Sequence, residues 1–222
     1  MEKDAANIYL ARGPYHRLSA EMIRDNALSA SGLLTLTVGG PSAKPYQPAG
    51  LWVEKTGPGS AYKHDIGSNL YRRSMYTFVR RTTPHPTMIA FDAPNRSVCT
   101  VKREKTNTPI QALTLLNDPE FMEAARVLAQ RVQREASDTI DEQVSLGFRL
   151  LCGRMPHPNE LELLTTLFDR SHAKYKGNPK SADALLEIGD HPIDPTLDRI
   201  QTAALTQVIS TIMNFDEAYM KR

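Results

Sequence analysis

The chain has 222 residues, 41% of them apolar and 23% charged, with a formal net charge of +2. That length suits one sizeable core, or a core with a subsidiary lobe, and the composition is that of a globular protein rather than a disordered or fibrous one. No apolar run approaches the roughly 20 residues of a membrane span. Met1 to Asp4 lack the basic and apolar regions of a secretory signal, and two cysteines, Cys99 and Cys152, are too few for a disulfide framework or a paired-cysteine zinc site.

Residues 17–34 read as a helix with Ser19 as its N-cap, Glu21 in the first turn and an inward stripe of Met22, Ile23, Ala27, Ala30 and Leu34. Gly32 weakens its end. From Gly39 to Gly67 the chain turns Gly- and Pro-rich with no helical period, which predicts a long ordered loop or a meander. Within it Trp52, the only tryptophan, is either an anchor pinning the loop or a stacking platform for a sugar or base.

Residues 70–105 hold eight Lys/Arg against two Asp/Glu, whereas residues 116–222 hold twelve against seventeen. The basic stretch is thus expected to meet an acidic surface, the chain's own helical part or a neighbouring domain, and the near-neutral total argues against nucleic acid. Leu70–Arg81 can form a short helix with Leu70, Ser74 or Met75, and Phe78 inward and its arginines outward or towards a carboxylate partner. The prolines around His85 end it. Thr87–Phe91 and Ser97–Arg103 read as short extended pieces separated by a turn at residues 92–96.

The helical signal sharpens from Thr108, where Thr108-Pro109-Ile110-Gln111 is a capping box with Pro at the first helical position. Asp118 and Pro119 open the next helix, over residues 119–136, with Phe121, Ala125, Leu128 and Val132 inward and Arg126, Arg131 and Arg134 on its polar face. Further helices are expected over 141–154, 158–175 and 178–189. The last, at about 195–220, carries a stripe wide enough for a central helix. The fold expected is mainly α: an irregular front with a possible small β element over residues 1–105, then a bundle of about five or six helices over residues 106–222, together forming one compact domain.

Three sets of residues could carry chemistry. His85, Asp92 and Cys99 offer an imidazole, a carboxylate and a thiol, although their spacing matches no standard ligand pattern and a structural role competes with metal binding or acid–base work. Arg72, Arg73, Arg96 and Arg103 could clamp a carboxylate, sulfate or phosphate, or pair with carboxylates of the chain itself. Trp52 could add a stacking surface. Nucleophile elbows, phosphate loops and dinucleotide fingerprints have no counterpart in the sequence, so no catalytic residue is assigned and no metal ligand set is expected.

The motifs GGPSAKPYQPAGLW at residues 39–52, the run from Leu70 to Arg126 and the closing MNFDEAYMKR resemble the C-terminal domain of unknown function of large multidomain planctomycete-type extracytoplasmic proteins. In those proteins the domain often lies downstream of a planctomycete cytochrome c domain. The resemblance implies a periplasmic or cell-surface location, upstream domains of the same parent protein as partners, and any haem held in a part preceding this chain. It implies an accessory or binding domain that docks on its neighbours, with anionic polysaccharide as a further ligand of the basic motif. The alternative is an enzyme, haem-linked redox or polysaccharide-modifying, with a site around His85, Asp92 and Arg96. Lys102 and Lys105 stand where arginines are usual, which weakens bidentate recognition at those two positions.

Overall fold

The computed structural model describes residues 8–9, 13, 16–56 and 61–221. The N-terminal tetrapeptide and residues 57–60 of the expected loop lie outside them. A two-residue strand β1 (His16–Arg17) pairs antiparallel with β2 (Met220–Lys221), so the ends of the described chain close on each other. Helix α1 (Ala20–Ser31) starts at Ser19, whose hydroxyl accepts from the Met22 N–H at 3.4 Å, and stops at Gly32 with φ 84°. That left-handed value is open to glycine at little steric cost. Ile23, Ala27 and Ala30 are buried as expected, but Met22 is exposed and Arg24 and Leu28 take the inner face.

The Gly/Pro-rich stretch contains one short helix, α2 (Leu51–Thr56), and is held to the basic segment by isolated bridges between Thr35 and Arg72 and between Ala43 and Thr77. This overturns the helix expected over 70–81, where only a single 3₁₀ turn forms at Ser74–Tyr76. The Ala43 N–H donates to the Tyr76 carbonyl and the Phe78 N–H to the Ala43 carbonyl, both at 2.7 Å. Backbone groups that a helix would satisfy internally are satisfied here by the neighbouring segment, and the β-branched and aromatic run Tyr76-Thr77-Phe78-Val79 favours that choice. Met75 and Phe78 consequently point outward while Tyr71, Arg72 and Ser74 are buried.

Thr87–Phe91 is not extended but helical, α3 (Pro86–Ala90), because Pro86 occupies the first helical position, where its fixed φ and missing N–H cost nothing. Ser97–Arg103 forms bends rather than a strand. The small β element is therefore the β1–β2 pair.

The bundle follows the periodicity closely except at its end, where the helix expected over about 195–220 is found as two. Helix α4 (Pro109–Asn117) begins with the Gln111 side chain accepting from the Thr108 N–H at 3.1 Å, and α5 (Pro119–Glu135) begins with the Asp118 carboxylate accepting from the Glu120 N–H at 2.9 Å. Next come α6 (Ile140–Cys152), α7 (Pro158–Gly177), α8 (Pro179–Leu186) and α9 (Arg199–Met213), and a turn at Asn214 and Phe215 separates α9 from the short α10 (Asp216–Tyr219). Helix α9 packs on α4, α5, α6, α7, α8 and α10 and is the central element its wide stripe calls for. The main core joins Ile23 and Ala27 of α1 and Met88 of α3 to Phe121, Leu128, Phe148, Leu205 and Ile209 of the bundle. The irregular front thus shares the hydrophobic core of the helical part.

Candidate functional site

The sequence-predicted residues do not assemble into one pocket. Arg72 is buried: its guanidinium donates to the carbonyls of Gly39 and Pro41, and it stacks over the Tyr76 ring at 4.1 Å. It ties down the glycine-rich loop rather than facing a ligand. His85 is 7% exposed and its Nε2 donates to the Tyr46 carbonyl at 2.7 Å, while Nδ1 has no hydrogen-bond partner among the described residues. Burial, opposed by the nearby Glu120 charge, holds its pKa below the usual histidine range. His85 and Arg96 border the same crevice, whose volume of about 30 Å³ admits a water or two.

Asp92 is not among the walls of that crevice. Its carboxylate accepts from the Thr106 N–H at 2.8 Å and the Thr106 hydroxyl at 2.9 Å, with Arg17 at 3.8 Å. Cys99 is exposed on a loop, and among the described residues no three His, Cys, Asp or Glu side chains could hold a metal together. Trp52 is covered on one side by the Arg80 guanidinium, 4.6 Å from its ring centre, with Tyr62 edge-on at 4.9 Å. Arg73 lies outside, 3.9 Å from Asp25, and Arg103 donates to Glu21 at 2.7 Å.

Several buried charges hold the front to the bundle, most of them given no role by the periodicity. Arg24, 1% exposed, donates to the carbonyls of Leu70 and Arg72 and to the Ser74 hydroxyl, and its Nη2 lies 2.6 Å from the buried Glu120 carboxylate. Glu123 accepts from the Tyr71 hydroxyl at 2.9 Å and the His191 N–H at 2.6 Å. Arg126, expected on the polar face of α5, is buried instead and donates to the His191 carbonyl at 2.7 Å. Its burial is tolerated because Glu123 lies 3.8 Å away. A signal for Arg24 was present, since it lies four residues from both Ala20 and Leu28 on the inner face. Asp118 completes the seam: the Thr87 hydroxyl donates to it at 2.5 Å, and burial raises its pKa despite that bond.

The longest continuously exposed run of the basic stretch is a loop. Residues 95–105 are exposed without exception, including Arg96, Lys102, Arg103 and Lys105 and the apolar Val98 and Val101. Its base is closed by the bonds between Asp92 and Thr106, and Asp92 and Arg96 both adopt left-handed backbone, φ 63° and 59°. Such a conformation in arginine is kept only where surrounding structure imposes it. Arg96, Ser97, Cys99, Thr100 and Arg103 surround an open recess of about 400 Å³ on this loop. The arrangement can hold an acidic partner, and it offers no assembled acid, base and nucleophile.

Fold and site define a mainly helical domain whose irregular front is locked to its bundle and presents one basic loop. A family model described as PSD1, protein of unknown function (DUF1553), matches residues 1–168, and the chain belongs to that family. The match ends within α7, so the front, the basic loop and α4 to α6 are all inside it. No curated protein and no solved structure matches the chain. Among the described residues no helix is long and apolar enough to cross a membrane.

Proposed function

We propose that the chain is an accessory binding domain of an extracytoplasmic multidomain protein, docking through the loop at residues 93–105 on an acidic surface of an upstream domain. One observation carries this reading: residues 95–105 form an unbroken exposed run, cationic and apolar side by side, on a base clamped by Asp92 and Thr106, whereas exposed and buried residues alternate in the basic stretch before it. Exposed cations beside exposed valines suit an interface that is steered by charge and sealed by apolar contact. The extracytoplasmic setting and the upstream partner rest on the family resemblance, and any haem would belong to that upstream part. A reaction site around His85, Asp92 and Arg96 gains no support from the geometry, because Asp92 is spent on Thr106 and His85 on Tyr46.

The test is calorimetric titration of the chain with its upstream domains at low and at moderate salt. Binding should weaken as salt rises, and the triple variant R96E/K102E/K105E should lose at least tenfold in affinity with its melting temperature unchanged. Arg103 is left intact because Glu21 depends on it. An affinity that ignores both salt and the triple variant contradicts the proposal. So does binding to dextran sulfate alone with none to the upstream domains, a result that would make anionic polysaccharide the ligand instead.

A further inference from the structure

A second recess has the opposite character. A groove of about 700 Å³ runs between the loop at Tyr46–Pro48, the start of α3 and the outer face of α4, large enough for a small organic ligand. Pro48, Pro86, Ala90, Ile110 and Leu113 supply apolar walls, and Ile110 and Leu113 are exposed although α4 is otherwise an apolar helix. Among the described residues none of the walls is Lys or Arg, in a chain with 27 of them.

The polar groups in the groove favour positive charge. Asp118 is the carboxylate among its walls, and it already caps α5, so the positive end of that helix is answered and no longer invites an anion. Pro119, the next residue, has no N–H to offer. The C-terminal turn of α4, with Leu113, Thr114 and Asn117, also borders the groove and brings the negative end of a helix dipole. His64 stands at the rim with its Nε2 3.1 Å from Asp190, and the Tyr46 ring lies beside it at 5.0 Å, an aromatic wall of the kind that attracts cations.

From this combination of apolar walls, a half-buried carboxylate, a helix C-terminus and no Lys or Arg among the described walls, we infer that the groove binds a small amphipathic amine, its apolar body against Ile110 and Leu113 and its ammonium at Asp118. The site is separate from the basic loop and selects the opposite charge.

Phenethylamine, 2-phenylethanol and 3-phenylpropanoate present similar bodies with a cationic, neutral and anionic head. Each is titrated into the chain while the backbone amide signals of Thr87, Leu113 and Thr114 are followed by NMR. The amine should bind at least tenfold more tightly than the acid and move those three signals. Asp118→Asn keeps the helix cap, since asparagine caps as well as aspartate, and should cost the amine roughly tenfold while leaving the alcohol unchanged. Ala90→Trp, which fills the groove, should abolish binding of all three. The inference is overturned if the acid binds as tightly as the amine, if Asp118→Asn weakens amine and alcohol alike, or if the shifted signals map elsewhere. A peptide of residues 95–105 that outcompetes the amine would also overturn it, by making a second copy's basic loop the occupant.

Discussion

Arg24 and Glu120 form the seam on which the irregular front rests, and a buried pair of this kind is asymmetric in its energetics. Losing one partner strands a charge, at a cost of about 3–5 kcal/mol, whereas replacing both with apolar groups is often harmless. Glu120→Ala should therefore lower the unfolding free energy in urea by about that amount, and Arg24→Met with Glu120→Leu should recover most of it. A loss below about 1 kcal/mol would mean that the three neutral acceptors of Arg24 suffice. Gly189 presents a second, purely steric test. Its φ is 89° and a Cβ there would collide with the Glu123 carboxylate, while Gly32, at φ 84°, faces open space. Gly32→Ala should cost about 1–2 kcal/mol for left-handed backbone alone, and Gly189→Ala clearly more; equal losses would show that the Glu123 side chain moves aside.

His85 adds a pH dependence at the same scale. Its pKa is depressed by burial, so below about pH 6.5 the unfolded chain takes up a proton that the folded one refuses. The stability this group confers is complete above that pH and is lost as the pH falls towards the depressed value. His85→Gln keeps a donor for the Tyr46 carbonyl and removes the titration. The urea midpoints of the two proteins should converge on going from about pH 7.5 to about pH 5, and parallel curves would contradict the assignment.

At the scale of elements, the loop at 93–105 depends on its clamp. Asp92→Gly preserves the left-handed backbone but deletes both bonds to Thr106, so trypsin should cut after Arg96 and Lys102 several-fold faster while the bundle keeps its melting temperature within a few degrees. Unchanged cleavage would show that Arg103 and Glu21 hold the loop by themselves. The helices from α4 to α7 were legible in the sequence because their caps and stripes are local: Thr108, Asp118, Gly153 and Pro158 each mark a boundary within a residue or two of the structure. The segment at 70–91 was not legible, because its conformation is decided by a partner. Tyr76 and Phe78 bond to Ala43 across a long separation, and α3 depends on Pro86 beginning a helix where β-branched Thr87 and Ile89 suggest a strand.

For the whole molecule, the charge division between the basic stretch and the acidic helical part turned out to have two components. The arginines at 24, 72 and 126 are consumed internally, bonding carbonyls and buried carboxylates, whereas Arg73, Arg81 and the cations of the loop at 95–105 face outward. Composition alone cannot separate these components, since burial of a charge depends on whether a partner such as Glu120 or Glu123 lies across the interface. The candidate site was accordingly legible as a stretch and not as a set of residues: Arg96 and Arg103 remain on the surface, while Arg72, His85 and Asp92 became supports. The most direct test of the docking role is hydrogen–deuterium exchange of residues 93–105, measured in this chain alone and in the parent protein with its upstream domains. The account predicts fast exchange in the chain alone and strong protection in the parent, reversed by R96E/K102E/K105E; equal, rapid exchange in both would contradict it.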